Sequence, residues 1–350
     1  MSRNGPRPFR RRKATPTTVL GAALAAVSLF AVACGSNSTN RSVSSTSTAG
    51  ASNSTAAVVA PATVNVGVLP IADVAPLYVG IQQGFFKKQN LTVKPVVMSG
   101  GAAVASAVLG GSLDFGFAAA VNLLLAKEKG LPVQIIANGD SAANNPAQAW
   151  SAIMVAGNSS IRSIKDLKGK TIASNAVEGV NELAIDGILQ KNGMSASEVN
   201  ITVLNFPDMP AALLSGHVPV VSEAEPFVTA LKAKGARVIS PLFSGYIPGM
   251  VVGTWFTSGG EIAHKAGIVR RFVTAITQAA AYCTANPSAV RDILPTYTKI
   301  PAAAAQHMAL ANYAPSLNRV SIQQQEQLML KLGWLKKNVS VSSLIWSGAH

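Results

Sequence analysis

Residues 110–137, GGSLDFGFAAAVNLLLAKEKGLPVQIIA, decide how this chain folds. Leu113 to Phe117 is a short apolar run entered through two glycines, and it reads as a strand. Val121 to Lys129 carries apolar residues at helical spacing, and Val133 to Ala137 is again a β-branched run behind Gly130 and Pro132. A strand, a helix and a strand in so few residues predict a parallel sheet with helices on both faces. The same alternation extends towards the N-terminus. Val64 to Leu69 is a strand, and the helix Pro76 to Phe86 is started by its proline and ends near Gly84. Leu91 to Met98 is a strand, and Gly100-Gly101 opens a helix that runs to Leu109.

A second series repeats this order. It comprises a strand at Lys170 to Ser174, a helix at Gly179 to Lys191, a strand at Asn200 to Asn205 and a helix at Pro210 to Leu214. A strand at Val218 to Ser222, a helix at Pro226 to Lys234 and a strand at Arg237 to Ser240 complete it. Ala107 to Leu113 and Leu213 to Val218 match in role, each a helix that closes on glycine and passes straight into a strand. The extended apolar segments Ser151 to Ala156 and Met250 to Phe256 are read as strands crossing between two lobes. Everything from Gly260 onward reads as helix, at Ala263 to Ala285, Ala302 to Ala311 and Ser321 to Leu332. These helices are expected to pack back on the first lobe, so that residues 63–150 and 257–350 form lobe 1 and residues 151–256 form lobe 2 with the crossover strands.

Composition narrows the function. The 350 residues are 49% hydrophobic and 13% charged, which excludes a disordered polyelectrolyte. Two cysteines and four scattered histidines give no metal-ligand spacing, so no metal site is expected. The formal charge of +14 owes much to Arg3, Arg7, Arg10, Arg11, Arg12 and Lys13 at the very start. The other basic residues are dispersed, with no aromatic side chains interleaved among them, which argues against a nucleic-acid surface.

The start reads as an export signal. Arg10 to Lys13 is a basic region, Thr18 to Ala33 is an alanine-rich apolar stretch too short to span a bilayer, and Cys34 follows. Ala31-Val32-Ala33 before Cys34 resembles the lipobox of bacterial lipoproteins, although Ala31 stands where leucine is usual. Residues 1–33 are therefore expected to be a signal peptide and Cys34 a lipidation site. Residues 34–62, rich in Ser, Thr and Asn, are expected to be a flexible tether holding the folded part at the outer face of the cell membrane. An uncleaved membrane anchor is the competing reading, and a twin-arginine route lacks the hydrophobic residues that should follow the arginine pair.

Few motifs suggest catalysis. Gly169-Lys170-Thr171 resembles the end of a phosphate-binding loop, but Ile164 stands where the loop needs glycine, and the local order is helix, turn, strand. Neither G-x-S-x-G nor G-x-G-x-x-G occurs. His217, His264 and Cys283 read as structural, and Trp150 and Trp255 as packing at the crossing strands or lining a cleft. The loops at the carboxyl ends of the strands carry more weight, because ligands of open α/β sheets bind there. Four such loops stand out: Pro70 to Asp73, Ser99 to Gly101, Phe117 to Ala119, and Ser174 to Gly179. Glu225 is a candidate for reaching across the cleft.

Several blocks resemble the nitrate, sulfonate, taurine and thiamine-pyrimidine family of ABC-transporter substrate-binding proteins. They are Val68 to Pro70, Pro76 to Val79, Gly84 to Lys88, Ser99-Gly100, Gly111 to Phe115, Lys129 to Val133, Ile161 to Lys170, and Glu225 to Phe227. The resemblance implies the type 2 periplasmic-binding fold, an α/β architecture of two doubly wound lobes. It implies capture of a small solute by a monomer and delivery to an ABC permease and its ATPase subunit, with no catalytic residue and no cofactor. It also implies Asp73, Tyr78, Ser99, Gly100, Gly101, Ala119, Ser174, Asn175, Glu178 and Glu225 as ligand-binding residues. Pro219 departs from the aspartate that the family often has after the second lobe's Gly-x-Val. A lipid-anchored sensor, and an enzyme of the pyrimidine-synthesis type on the same fold, are the alternatives. The solute is left open, since backbone amides suit an oxyanion whereas Glu178 and Glu225 suit an amino group.

Overall fold

The computed structural model describes residues 60–349, and the expected signal peptide, Cys34 and nearly all of the tether lie outside the described residues. Among the described residues ten strands form two five-stranded sheets. The first contains β1 (Ala62–Val68), β2 (Leu91–Val97), β3 (Phe115–Ala119), β4 (Val133–Asn138) and β10 (Gly253–Ser258), in the order β2-β1-β3-β10-β4. The second contains β5 (Ser151–Val155), β6 (Thr171–Ser174), β7 (Asn200–Val203), β8 (Val220–Ala224) and β9 (Arg237–Pro241), in the order β7-β6-β8-β5-β9.

The sheets are mixed rather than parallel throughout. β1 pairs in parallel with β2 and β3, as β6 does with β7 and β8, whereas β10 runs antiparallel to β3 and β4, and β5 antiparallel to β8 and β9. The two reversed strands are the ones read from sequence as crossing between lobes. Each is instead a paired inner strand of the sheet it enters. Trp255 and Phe256 pair with β3 and β4, so the strand assigned to the second lobe up to residue 256 belongs to the first sheet. The chain crosses in the segments just before these strands. There Ala142 N–H donates to Met250 O (2.7 Å), Val252 N–H to Asp140 O (3.1 Å), and Gly139 N–H to Gly253 O (3.0 Å). Their polar backbone is thus satisfied away from either sheet.

Two aromatic clusters show what fixes each half. The Gly259–Ala285 helix buries Val269, Phe272, Val273 and Ile276 on the first sheet. Phe272 stacks on Phe115 with ring centroids 4.1 Å apart and meets Trp255 edge-on. In the second half Trp150 tilts against Phe243 and donates its indole N–H to Ser141 O (3.1 Å). Trp150 therefore packs at the crossing and Trp255 within the first sheet, and neither lines the cavity described below.

Some helices differ from the sequence reading. Gly84, at φ 73°, divides the stretch from Pro76 to Phe86 into helices Ala75–Gln82 and Phe85–Lys88. The Gly259–Ala285 helix is interrupted at Lys265 (φ −132°), and the segment from Ala302 is helical only to Ala305. The Arg319–Leu332 helix does more than cover the first sheet. Its Gln325 donates to Val251 O (2.8 Å) and its Ser321 hydroxyl accepts from Val251 N–H (2.9 Å), which clamps a crossing segment. Lys331 reaches Gln190 of the second half (3.0 Å).

Candidate functional site

The carboxyl ends of both sheets enclose a cavity of about 50 Å³, room for a few waters. The first half supplies Leu69, Ile71, Asp73, Gly101, Phe117, Ala119 and Asn122. The second supplies Asn175, Ala176, Gly179, Asn181, Phe206, Ala224 and Phe243, while Val252 comes from the crossing segment and Gly253 from the start of β10. Three helices begin at this wall, Gly101–Leu109, Ala120–Glu128 and Val180–Lys191. None has a side-chain cap, so no side chain takes their first N–H groups. Small residues at these starts are functional in a steric sense. A Cβ on Gly101 would come 2.7 Å from Asn122 Oδ1.

Asp73 is held from behind by tyrosines. Tyr313 donates to Ala72 O (2.8 Å) and Tyr297 to Ile71 O (3.2 Å), fixing the turn that carries the carboxyl group. Asp73 is 3% exposed and its Oδ1 has no partner. Burial raises its pKa to about 7, partly offset by its own backbone N–H. Asp140, just past the end of β4, is fully buried. Its Oδ1 accepts from Gly253 N–H (2.9 Å) and its Oδ2 has no partner. Burial first, and then the charge of Asp73, push its pKa well above the carboxylate range, against the opposing pull of the Gly253 amide.

On the opposite wall Asn181 is fully buried. Its amide nitrogen donates to Ser222 O (2.9 Å) and Ser222 Oγ (3.2 Å), and the Ser222 hydroxyl donates to Ala173 O (2.9 Å). A backbone carbonyl can only accept, so the amide is oriented with Oδ1 as its free end, and that atom has no partner. Asn175 Oδ1 is likewise enclosed and unpartnered.

Of the residues singled out in the sequence, the structure brings Asp73, Gly101, Ala119 and Asn175 to the cavity. The others lie elsewhere. Tyr78 is stacked flat on Tyr297 with centroids 3.9 Å apart. Ser99 is exposed, and Gly100 serves as the residue before the Gly101 helix. Ser174 is buried and spends its hydroxyl on Ala176 O (3.1 Å), which shapes the loop. Glu178 stands at φ 51° and donates its backbone N–H to Glu182 (2.7 Å), with its carboxyl group away from the lining. Glu225 does reach across, but through its backbone, whose carbonyl accepts from Ala72 N–H (3.1 Å). Its carboxylate turns back to take Thr229 N–H (2.9 Å) and Oγ1 (2.7 Å) and so holds the start of the next helix.

The sequence reading missed Asn181, Asn122, Asp140 and three phenylalanines, Phe117, Phe206 and Phe243. Asp140 lies two residues past the end of β4, a position that marks a strand-end loop, and Asn181 sits in the first turn of a helix that had been recognised. Either could have been found from position alone. The phenylalanines read as ordinary core residues, and only the packing of two sheets brings them to one cavity. His217 and His264 are exposed and Cys283 is buried, its thiol pushed up to about 12 by desolvation. Gly169, at φ 72°, makes the turn into β6.

The fold is shared with solved binding proteins. The alkanesulfonate-binding protein SsuA from Xanthomonas axonopodis pv. citri, bound to MOPS, superposes with a TM-score of 0.69 at 21% identity, covering 83% of this chain and all of that one. In sequence the chain is 25% identical over 234 residues to the riboflavin-binding protein RibY of Chloroflexus aurantiacus, covering 64% of this chain and 63% of that protein. It is 26% identical over 220 residues to a putative thiamine biosynthesis protein of Haemophilus influenzae, covering 62% of this chain and 67% of that protein. The sequence model described as NMT1/THI5 like matches residues 71–290, which is more than half of the chain. With two mixed sheets, two crossing segments and a strand-end cavity already in place, that match identifies the chain as a member of the NMT1/THI5-like family.

Proposed function

We propose that this protein is the extracytoplasmic solute-binding component of an ABC importer. It captures a small solute between its two lobes and delivers it to a membrane permease and the ATPase subunit of that permease. The observation that supports this best is the cavity itself, enclosed by strand ends of both sheets and lined by polar atoms without partners, Asp73 Oδ1, Asn175 Oδ1 and Asn181 Oδ1. Buried acceptors left unpaired are costly unless a ligand meets them. The relatives that bind riboflavin or alkanesulfonate support the class without fixing the cargo.

The mechanism is conformational. The lobes open about the paired segments at residues 139–143 and 249–253, a solute enters against the helix starts, and closure buries it. The Ala72 to Glu225 backbone bond and the Gln325 clamp on Val251 are contacts that closure would make or tighten. No covalent step is needed. Lipidation at Cys34 and the tether that leads from it to β1 would hold the protein at the outer face of the membrane beside its permease.

Thermal unfolding of the full chain against alkanesulfonates, nitrate, taurine, aminopyrimidines, riboflavin and small amines tests the reading. A solute at a hundred times its Kd adds about 2.7 kcal/mol of stability and raises the midpoint saturably. Turnover of a small metabolite, with no saturable shift from any solute, would overturn it.

A further inference from the structure

The partnerless atoms in and behind the cavity, on Asp73, Asp140, Asn175 and Asn181, are all carboxyl or amide oxygens. Asp73 and Asp140 are enclosed together, each with one free carboxyl oxygen. No counter-ion accompanies them. Among the described residues the ion pairs join Lys168 to Glu198, and Lys265 to Asp114 and Glu261, all outside the cavity lining. The lining contains no Lys, Arg or His. Facing Asp73 from the second half, Asn181 has its amide nitrogen committed to Ser222, which leaves only an oxygen for the cavity, and Asn175 adds another. The remaining wall is mostly apolar, with Phe117, Phe206 and Phe243 among aliphatic side chains and the Asn122 amide.

A carboxyl group that can ionise, amide oxygens and phenyl rings in one enclosure together make a site for positive charge and for N–H donors. We infer that the cavity takes a compact organic cation carrying N–H groups, an amine or an amidinium, with Asp73 as its counter-ion and Asn181 accepting from the facing wall. This rests on the solute-binding reading above. An oxyanion would find N–H groups at the three helix starts, but no cation in the lining would balance its charge, and it would oppose any ionisation of Asp73 beside it. The same helix starts suit an oxygen or ring nitrogen elsewhere on a cationic solute.

Isothermal titration of the full chain at neutral pH tests this. The probes are methylguanidinium, acetamidinium and ethylammonium chlorides, with N-methylurea as the neutral isostere of the first, and methanesulfonate and nitrate as anions. At least one cation is expected to bind saturably, and methylguanidinium about tenfold more tightly than N-methylurea. Asp73→Asn, checked for folding by its thermal transition, is expected to weaken the cation about tenfold or more, the usual scale for a hydrogen bond to a charged group. Should that variant fail to fold, Asn175→Asp, on a half-buried loop, is expected to tighten the cation severalfold. Tighter binding of N-methylurea or of either anion than of every cation would overturn the assignment and leave the solute-binding reading intact. So would cation binding that neither variant moves. If no probe binds, the cation assignment falls, and the broader solute panel alone then decides whether the solute-binding reading falls with it.

Discussion

Replacing Asp73 by asparagine should stabilise the ligand-free protein, and only above a certain pH. The carboxyl group is buried, and its pKa stands at about 7 against an ordinary 3.8. The folded state therefore holds the proton more tightly than the unfolded chain does. Between pH 4 and pH 7 unfolding releases it, so stability falls as pH rises through this window and levels off above it. A displacement of about 3 pH units, at roughly 1.4 kcal/mol each, sets the cost at about 4 kcal/mol by pH 8. The titratable groups that interact with Asp73 are Asp140, Tyr297 and Tyr313. Both tyrosines have their ionisation pushed upward and stay neutral here, so Asp140 alone shares the titration. Asparagine keeps the shape and one acceptor without the charge, and it also removes the repulsion that raises Asp140. Urea unfolding of wild type and Asp73→Asn at pH 4, 6 and 8 reads the difference from the midpoints, provided the slopes agree. The variant should gain up to about 4 kcal/mol at pH 8 and almost nothing at pH 4. A variant less stable than wild type at pH 8, or a gain independent of pH, would refute the claim that desolvation dominates at this carboxyl group.

Two further outcomes follow from packing and from the N-terminal reading. Gly80 lies where the Ala75–Gln82 helix meets the Gly259–Ala285 helix, and a Cβ there would come 2.8 Å from Phe86 Cε2 and 2.9 Å from Ala279 Cβ. Helix propensity favours alanine over glycine by up to about 1 kcal/mol. Overpacking should nonetheless win, so Gly80→Ala is expected to cost about 1–3 kcal/mol by calorimetry, and a higher midpoint would show that the two helices can separate cheaply. Cys34→Ala should move the protein from the membrane fraction to the medium without changing its thermal transition, and continued tight membrane association would sink the lipidation reading.

The local sequence determined the alternation of strand and helix, because it is written in short-range periodicity and in glycines such as Gly84 and Gly111, both at positive φ. It also marked several loops that end strands, and with them Asp73, Gly101, Ala119 and Asn175. Direction and partnership of strands were decided only in three dimensions. β5 and β10 read in the sequence as strands crossing between lobes, yet each is an inner strand of one sheet running against its neighbours, because a segment arriving from the other half enters its sheet from the opposite end. The site shows the same division. Glu225 has the right chemistry to meet a ligand, but Thr229, one helical turn on, takes its carboxylate. Asn181 looked like one more helix residue until Ser222, 41 residues further along the chain, fixed which end of its amide faces the cavity. Residue types limit what a side chain can donate or accept, and that much is legible in the sequence. Which of those bonds the protein has already satisfied internally, and so what remains for a ligand, depends on neighbours that only the packed structure supplies.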